Sequence, residues 1–277
     1  MKTAIVTDSS ADLSREDAES LGIFVARMPL TIDGEDFLEE EGISREAFIE
    51  AMKNGATVST SQPNLFNTGT LFKNLLETHD QVLYLPISSK LSGTYQTACI
   101  LAEEFGGRVV VVDTLAVSYP LLYVTLRAKE LAESGVPLVE IKQNIESNSF
   151  MFASLIPESI EYLKRGGRIK PAAAAVANLL KIMPILSVTD GEIDLLDKVR
   201  THKKALKKGV SYVVEDRNPD DYDWAVLSGD APEEDMLEVI AEVERILGRS
   251  VVRRNIYPIV LAHTGPGTIA VTCMKKF

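Results

Sequence analysis

The sequence lacks most of the residues from which disulfide scaffolds and metal sites are built. Its 277 residues include two cysteines, Cys99 and Cys273, and three scattered histidines. The cysteines have no CxxC spacing, which excludes a disulfide framework and a zinc site. So few cysteines are typical of a reducing compartment, and we expect a cytoplasmic protein that binds no metal.

Long apolar runs and an excess of positive charge are also missing. No stretch approaches the roughly 18 apolar residues of a membrane span. The apolar run within Met1–Asp8 is too short for a signal peptide and is expected to form the first strand. The formal net charge is −11, whereas nucleic acids and anionic membranes attract clustered lysine and arginine. We therefore expect neither an integral membrane segment nor a nucleic-acid partner.

The sequence does contain enough apolar residues for a sizeable core, at 45% of the chain. In the first half, continuous apolar runs alternate with helical stretches, which predicts a parallel sheet covered on both faces. Strands are expected at 3–7, 23–28, 82–87 and 109–112, and helical stretches at 14–21, 94–105 and 116–148. The acidic segment 33–41 is expected to be a solvated loop, with a docking feature as the alternative.

In the second half, Asp190-Gly191 separates two apolar runs and predicts a hairpin, hence a mixed or antiparallel sheet. We expect two α/β lobes, 1–149 and 150–277. Strands of the second lobe are expected at 150–156, 184–188, 193–199, 224–228, 250–256, 259–262 and 268–274, and helices at 172–180, 201–215 and 233–247.

Four segments place polar side chains and glycines at the ends of apolar elements, where ligands of parallel α/β sheets gather. They are 58–63, 87–95, 162–169 and 263–268. In the first, the hydroxyls of Thr60 and Ser61 either cap the next helix or form an anion site at its N-terminus. In the second, capping accounts for one serine, whereas several hydroxyls around Ser92, with close backbone approach at Gly93, favour a ligand site.

The other two segments each allow a structural and a functional interpretation. Gly166-Gly167 is either a plain helix stop or a turn that directs Arg168 towards an anionic head group in the interlobe cleft. His263 is either a hydrogen-bonded histidine at a strand end or a donor to a carboxylate. No phosphate-binding glycine loop and no GxSxG nucleophile motif is present.

Taken together, these segments resemble the DegV family. The matching pieces are Asp8-Ser9-Ser10, Thr60-Ser61-Gln62-Pro63, Ser88-Ser89-Lys90-Leu91-Ser92-Gly93-Thr94-Tyr95, Val112-Asp113-Thr114, Gly166-Gly167-Arg168, Asn178-Leu179-Leu180-Lys181 and His263-Thr264-Gly265-Pro266-Gly267-Thr268. They follow in order from residue 8 to residue 268. The resemblance therefore covers nearly the whole chain.

The resemblance implies two α/β lobes with a long-chain fatty acid, of the palmitate, stearate or oleate type, buried between them. It implies that Thr60 and Ser92 hold the carboxylate, with His263 nearby, and that no other cofactor is bound. Ser61, Gly93 and Arg168 complete the implied ligand-binding set.

The resemblance also implies a partner. The best understood members are the lipid-binding subunits of a bacterial fatty acid kinase, and present the carboxylate to a separate ATP-dependent kinase that makes an acyl phosphate. Arg200 resembles a position linked to kinase docking. It belongs to a predicted helix with a basic face, which is either a partner surface or a solvated face. Two alternatives to a non-catalytic carrier remain: a lipid-sensing regulator, and an acyl hydrolase that uses Ser92 and His263 as nucleophile and base.

Overall fold

The computed structural model describes residues 1–175 and 182–277, and these form two compact units. The first unit consists of Met1–Ala47 and Thr57–Ser149, and the second of Phe48–Ala56 and Phe150–Phe277. The predicted lobe 1–149 thus differs from the first unit by the segment Phe48–Ala56. Lys53 of this segment forms an ion pair with Asp230, with 2.5 Å between Nζ and Oδ2. Such contacts group the segment with the second unit.

The strands of the first unit form one parallel and one antiparallel sheet. They are β1 (Thr3–Asp8), β2 (Phe24–Ala26), β3 (Pro29–Ile32), β4 (Glu35–Leu38), β5 (Val58–Thr60), β6 (Gln81–Leu85) and β7 (Val109–Val111). The parallel sheet has the order β2-β1-β6-β7. It confirms the fold class expected for this half.

The antiparallel sheet, with the order β4-β3-β5, corrects the expected solvated loop at 33–41. Asp33 and Gly34 have φ values of 49° and 87°, and this pair of left-handed residues makes a tight hairpin turn that pairs β3 with β4. The acidic composition concealed this Asp-Gly turn signal. Glu39, just beyond β4, is buried and lies 3.6 Å from the guanidinium of Arg27.

Helices pack on both faces of the parallel sheet. They are α1 (Arg15–Leu21), α3 (Leu65–Leu75), α4 (Thr94–Ala102), α5 (Tyr119–Glu133) and α6 (Leu138–Asn148). A further helix, α2 (Arg45–Lys53), begins in the first unit and ends in the second. On the face of α3 and α4, the core contains Phe72, Tyr84 and Ala98. On the other face, α5 contacts β1.

The second unit contains a mixed six-stranded sheet with the order β10-β9-β8-β13-β11-β12. Its strands are β8 (Met151–Ile156), β9 (Met183–Thr189), β10 (Glu192–Val199), β11 (Tyr222–Gly229), β12 (Val252–Asn255) and β13 (Thr268–Lys275). The strands pair antiparallel except β11 and β12, which are parallel. The turn at Asp190 and Gly191, with φ values of 49° and 76°, confirms the predicted hairpin.

The helices of the second unit correct one further expectation. They are α7 (Glu161–Gly166), α8 (Pro171–Ala174), α9 (His202–Val214), α10 (Glu233–Leu247) and α11 (Pro258–Thr264). The run 259–262 was expected to be a strand and is helical, because Pro258 occupies the first turn of α11, where its fixed φ favours a helix. Residues 176–181 lie outside the described ranges, and with them much of the expected helix 172–180 and the motif Asn178–Lys181. Within those ranges, no helix has the length and apolar character needed to cross a membrane.

Candidate functional site

In the first unit, the loops that follow neighbouring parallel strands are joined by hydrogen bonds. The backbone N–H of Ile87, after β6, donates to Oδ2 of Asp8 at the end of β1, at 2.8 Å. The N–H of Ser89 donates to Oδ1 of Asp113, after β7, at 3.2 Å. Asp8 is buried, and burial raises the pKa of its carboxyl, opposed by hydrogen bonds to Ser10 and Ile87. These contacts hold the serine-rich loop 88–92 at the carboxyl edge of the sheet.

Ser92 lies at the entry to α4 and pairs with a second hydroxyl. Its Oγ is 2.8 Å from Oγ1 of Thr94 and also accepts a hydrogen bond from the Thr94 backbone N–H at 3.3 Å. Gly93 is exposed and occupies the N-cap position without a side-chain cap. Ser92 is partly buried. The loop therefore presents hydroxyl groups next to a helix N-terminus, where negative charge is stabilised.

Thr60 ends β5, and the exposed Ser61 follows it. The Ser61 backbone N–H donates to the carbonyl of Pro29 at 3.2 Å. The N-cap of α3 is Asn64, whose side chain accepts from the N–H of Asn67 at 3.2 Å. The interpretation of the hydroxyls of Thr60 and Ser61 as caps of this helix is therefore wrong, because an asparagine fills that role.

Gln62 connects the two hydroxyl-bearing segments of the first unit. Its Oε1 accepts a hydrogen bond from Thr97 of α4 at 3.2 Å. The same atom lies 3.4 Å from the position that a Cβ on Gly93 would occupy. The structure thus brings the segment of Thr60 and Ser61 against the start of α4.

In the second unit, the segments around Gly166 and His263 pack in direct contact. A Cβ built on Gly166 would lie 2.2 Å from Nδ1 of His263, closer than real Cβ contacts allow. A second glycine makes a similarly close contact: a Cβ built on Gly265, just after α11, would lie 2.4 Å from the ring of Tyr162 in α7. The glycines are therefore required for close packing of α7 on the end of α11. Gly167, with φ of 67°, is also the C-cap of α7, so the helix-stop interpretation is correct as well.

His263 is held in its neutral form by its surroundings. Burial, and secondly the positive charge of Arg168, lower the pKa of His263 from 6.5 to about 4. Arg168 itself donates from Nη1 to the carbonyl of Gly166. A neutral imidazole next to a guanidinium can donate one hydrogen bond to a carboxylate, and the cation favours the negative charge.

The basic face of α9 is partly neutralised by acidic neighbours. Lys203 pairs with Glu238 of α10 at 3.2 Å, and Lys208 pairs with Asp197 of β10 at 2.5 Å. That hydrogen bond from Lys208 is the main reason why the pKa of Asp197 falls to about 2. Arg200 is exposed just before α9. The face that remains cationic is therefore smaller than the sequence suggests.

Sequence reasoning did not single out Gln62 and Thr94 as more than members of motifs. Gln62 contacts Thr97, which is 35 residues away, so the sequence carries no local signal of that contact. Thr94 contacts Ser92, only two residues away, and the close spacing of these two hydroxyls is the signal that could have found it. Within residues 1–175 and 182–277, no group of three or more histidine, cysteine, aspartate or glutamate side chains is placed to hold a metal ion. The chemistry that these segments offer is hydrogen-bond donation to an anion.

The family model described as uncharacterised protein, DegV family, matches residues 2–276. This chain belongs to the DegV family. A DegV domain-containing protein of Deinococcus radiodurans is 34% identical to it over 98% of each chain. Solved structures of DegV family proteins match this chain over its full length. A DegV family protein from Thermus thermophilus, described by its fatty acid binding, has a TM-score of 0.85 at 30% identity and covers 100% of both chains. A fatty acid binding DegV family protein from Streptococcus agalactiae has a TM-score of 0.86 at 26% identity, again over 100% of both chains.

Proposed function

We propose that this DegV family protein binds a long-chain fatty acid and takes part in no bond-breaking chemistry of its own. Thr60 and Ser92 are the proposed donors to the carboxylate of the fatty acid, and His263 is a further proposed ligand-binding residue. Ser61, Gly93 and Arg168 complete the ligand-binding set. The observation that carries this proposal is the match, over the entire chain, to solved DegV family proteins that are described as fatty acid binding.

The local chemistry of the described residues supports a carboxylate ligand. A carboxylate removed from water needs several hydrogen-bond donors, because an uncompensated buried charge is unstable. Hydroxyls and a neutral imidazole donate without requiring a full opposite charge, and Arg168 adds one cation. The pKa of His263, lowered to about 4, leaves the imidazole uncharged near pH 7.

The acyl chain supplies most of the binding free energy in this proposal. Burying about 14 methylenes at roughly 0.8 kcal/mol each contributes on the order of 11 kcal/mol. Lost translational freedom and chain ordering offset part of this gain. A fatty acid of the palmitate, stearate or oleate type is therefore held mainly by its tail, and the head-group donors select a carboxylate over an alcohol or ester.

The head-group assignment is tested by replacing Thr60 and Ser92 together with alanine. Each donor to a charged group contributes about 1.5–3 kcal/mol, so we expect the affinity for oleate to fall about a hundredfold or more. The measurements are native mass spectrometry of the purified chain and titration with oleate. The matched control is Thr78→Ala with Ser134→Ala, which removes the same atoms from two exposed helix-end hydroxyls of the first unit.

Control and double variant must both remain folded by circular dichroism. If the double variant retains the lipid content and oleate affinity of the wild type, the head-group assignment is wrong. If the wild type itself neither carries a fatty acid nor takes up oleate or palmitate, the proposed function is wrong. Release of p-nitrophenol from an acyl ester, abolished by Ser92→Ala, would replace the carrier with an acyl hydrolase.

The second step of the proposal is presentation of the bound carboxylate to a separate ATP-dependent fatty acid kinase. Arg200 is exposed beside α9 and is the proposed docking residue. We expect Arg200→Ala to keep its lipid but to slow acyl phosphate formation by about tenfold, since hydrogen bonds to charged groups contribute roughly 1.5–3 kcal/mol. Arg249→Ala, which removes another exposed arginine of the second unit, is the control. Equal turnover by both variants would remove this role from Arg200.

A further inference from the structure

A small cavity lies in the first unit, where α3 and α4 cover β6. Its volume is about 10 Å³, and the residues around it include Gln62, Tyr84, Thr94 and Ala98. A volume of this size holds one water molecule, provided that polar groups are present to bind it. Most of the lining surface is apolar, so a water molecule there depends on the few polar atoms that residues such as Tyr84 and Thr94 supply.

The hydroxyl of Tyr84 is the first of these polar groups. Tyr84 is fully buried in β6, and its hydroxyl has no hydrogen-bond partner among the described protein groups. Burial raises the pKa of this phenol well above its usual value, so it stays protonated and can donate. A buried donor without a partner is destabilising, and ordered water commonly satisfies such groups.

The second polar group is Thr94, which connects the cavity to the proposed ligand-binding residue Ser92. The hydroxyl oxygens of Thr94 and Ser92 are 2.8 Å apart, and either one can donate to the other. If Ser92 donates to Thr94, its only proton is unavailable to a ligand. If Thr94 donates to Ser92, the proton of Ser92 is available to a carboxylate. A donor to the Thr94 oxygen from the cavity side therefore favours the ligand-binding arrangement.

We propose that one water molecule in this cavity bridges the hydroxyls of Tyr84 and Thr94, and that Tyr84 is a positioning residue for Ser92. Tyr84 donates to the water, the water donates to Thr94, Thr94 donates to Ser92, and Ser92 donates to the carboxylate. All four hydrogen bonds in this series run in the same direction, from Tyr84 towards the carboxylate, and no proton is transferred. The inference deepens the proposed function, since it rests on Ser92 as a carboxylate donor.

The binding test compares Tyr84→Phe in two backgrounds. With Ser92 present, losing the hydrogen bond from Tyr84 to the water molecule should weaken oleate binding by roughly threefold to tenfold. In a Ser92→Ala background, Tyr84→Phe should not weaken oleate binding further, because the series of hydrogen bonds no longer reaches the ligand. Tyr212→Phe, which removes an exposed tyrosine hydroxyl of the second unit, is the control and should bind oleate like the wild type. An equal loss in both backgrounds, or no loss in either, overturns the positioning role.

A second test needs no fatty acid. If water satisfies the Tyr84 hydroxyl, Tyr84→Phe lowers the melting temperature, by about 2 °C or more. If the hydroxyl is unsatisfied, removing it raises the melting temperature, and the water site is overturned. A crystal structure of the full chain should show density within hydrogen-bond distance of both Tyr84 Oη and Thr94 Oγ1. If this density is present but Ser92→Ala binds oleate normally, the water site stands and the Ser92 head-group assignment fails.

Discussion

The neutral state of His263 leads to a pH dependence that can be worked out from the structure. Burial and the charge of Arg168 lower the pKa of His263 in the folded chain from 6.5 to about 4. Between these two pH values the unfolded chain binds a proton that the folded chain does not. The free energy of unfolding therefore decreases as the pH falls, and this contribution is fully present only above pH 6.5. At about 1.36 kcal/mol per pKa unit, the loss from His263 reaches about 3 kcal/mol at pH 4.

The assay is urea unfolding of the wild type and of His263→Asn between pH 7 and pH 4. Trp224 is the only tryptophan and is buried in the core of the second unit, the unit that contains His263, so its fluorescence reports the relevant transition. Asparagine does not titrate. Subtracting the free energy of unfolding of His263→Asn from that of the wild type at each pH therefore removes the contribution of the acidic groups that both proteins share. The stability difference should narrow with a slope near 1.36 kcal/mol per pH unit below about pH 6.5. Parallel curves for the two proteins would refute the reasoning, as would an NMR titration of His263 with a pKa near 6.5.

Two further substitutions test packing and buried charge. Gly166→Ala places a methyl group against the His263 ring and should cost about 1–3 kcal/mol; adding His263→Ala should restore most of the lost stability, and no recovery would mean that the ring is not the obstacle. Arg27→Met removes the guanidinium that faces the buried carboxylate of Glu39 and should cost on the order of 3 kcal/mol. The matched variant Arg15→Met removes an exposed arginine and should cost less than about 1 kcal/mol. Equal denaturant midpoints for these two arginine variants would contradict the difference in burial.

Features that depend on neighbouring residues could be predicted from the sequence. The hairpin at Asp190-Gly191 follows from the left-handed conformation that these residues adopt readily. The parallel sheet of the first unit follows from continuous apolar strands separated by helices. Two local signals predict the wrong structure. The acidic composition of 33–41 favours a loop although Asp33-Gly34 is a hairpin turn, and the short apolar run 259–262 does not by itself distinguish strand from helix.

The order of the polar motifs along the chain indicated the DegV family, but not how each motif is held. Oε1 of Gln62 accepts from Thr97, and Gly166 lies against His263; both contacts join positions far apart in the chain. Tyr84 reads as one more apolar residue in a buried strand, and its burial leaves the hydroxyl without a partner among the described protein groups. Local propensity acts over a few residues, whereas burial, pKa and packing distance depend on the groups that folding brings from elsewhere. The chemical state of a residue such as His263 is therefore set by tertiary structure.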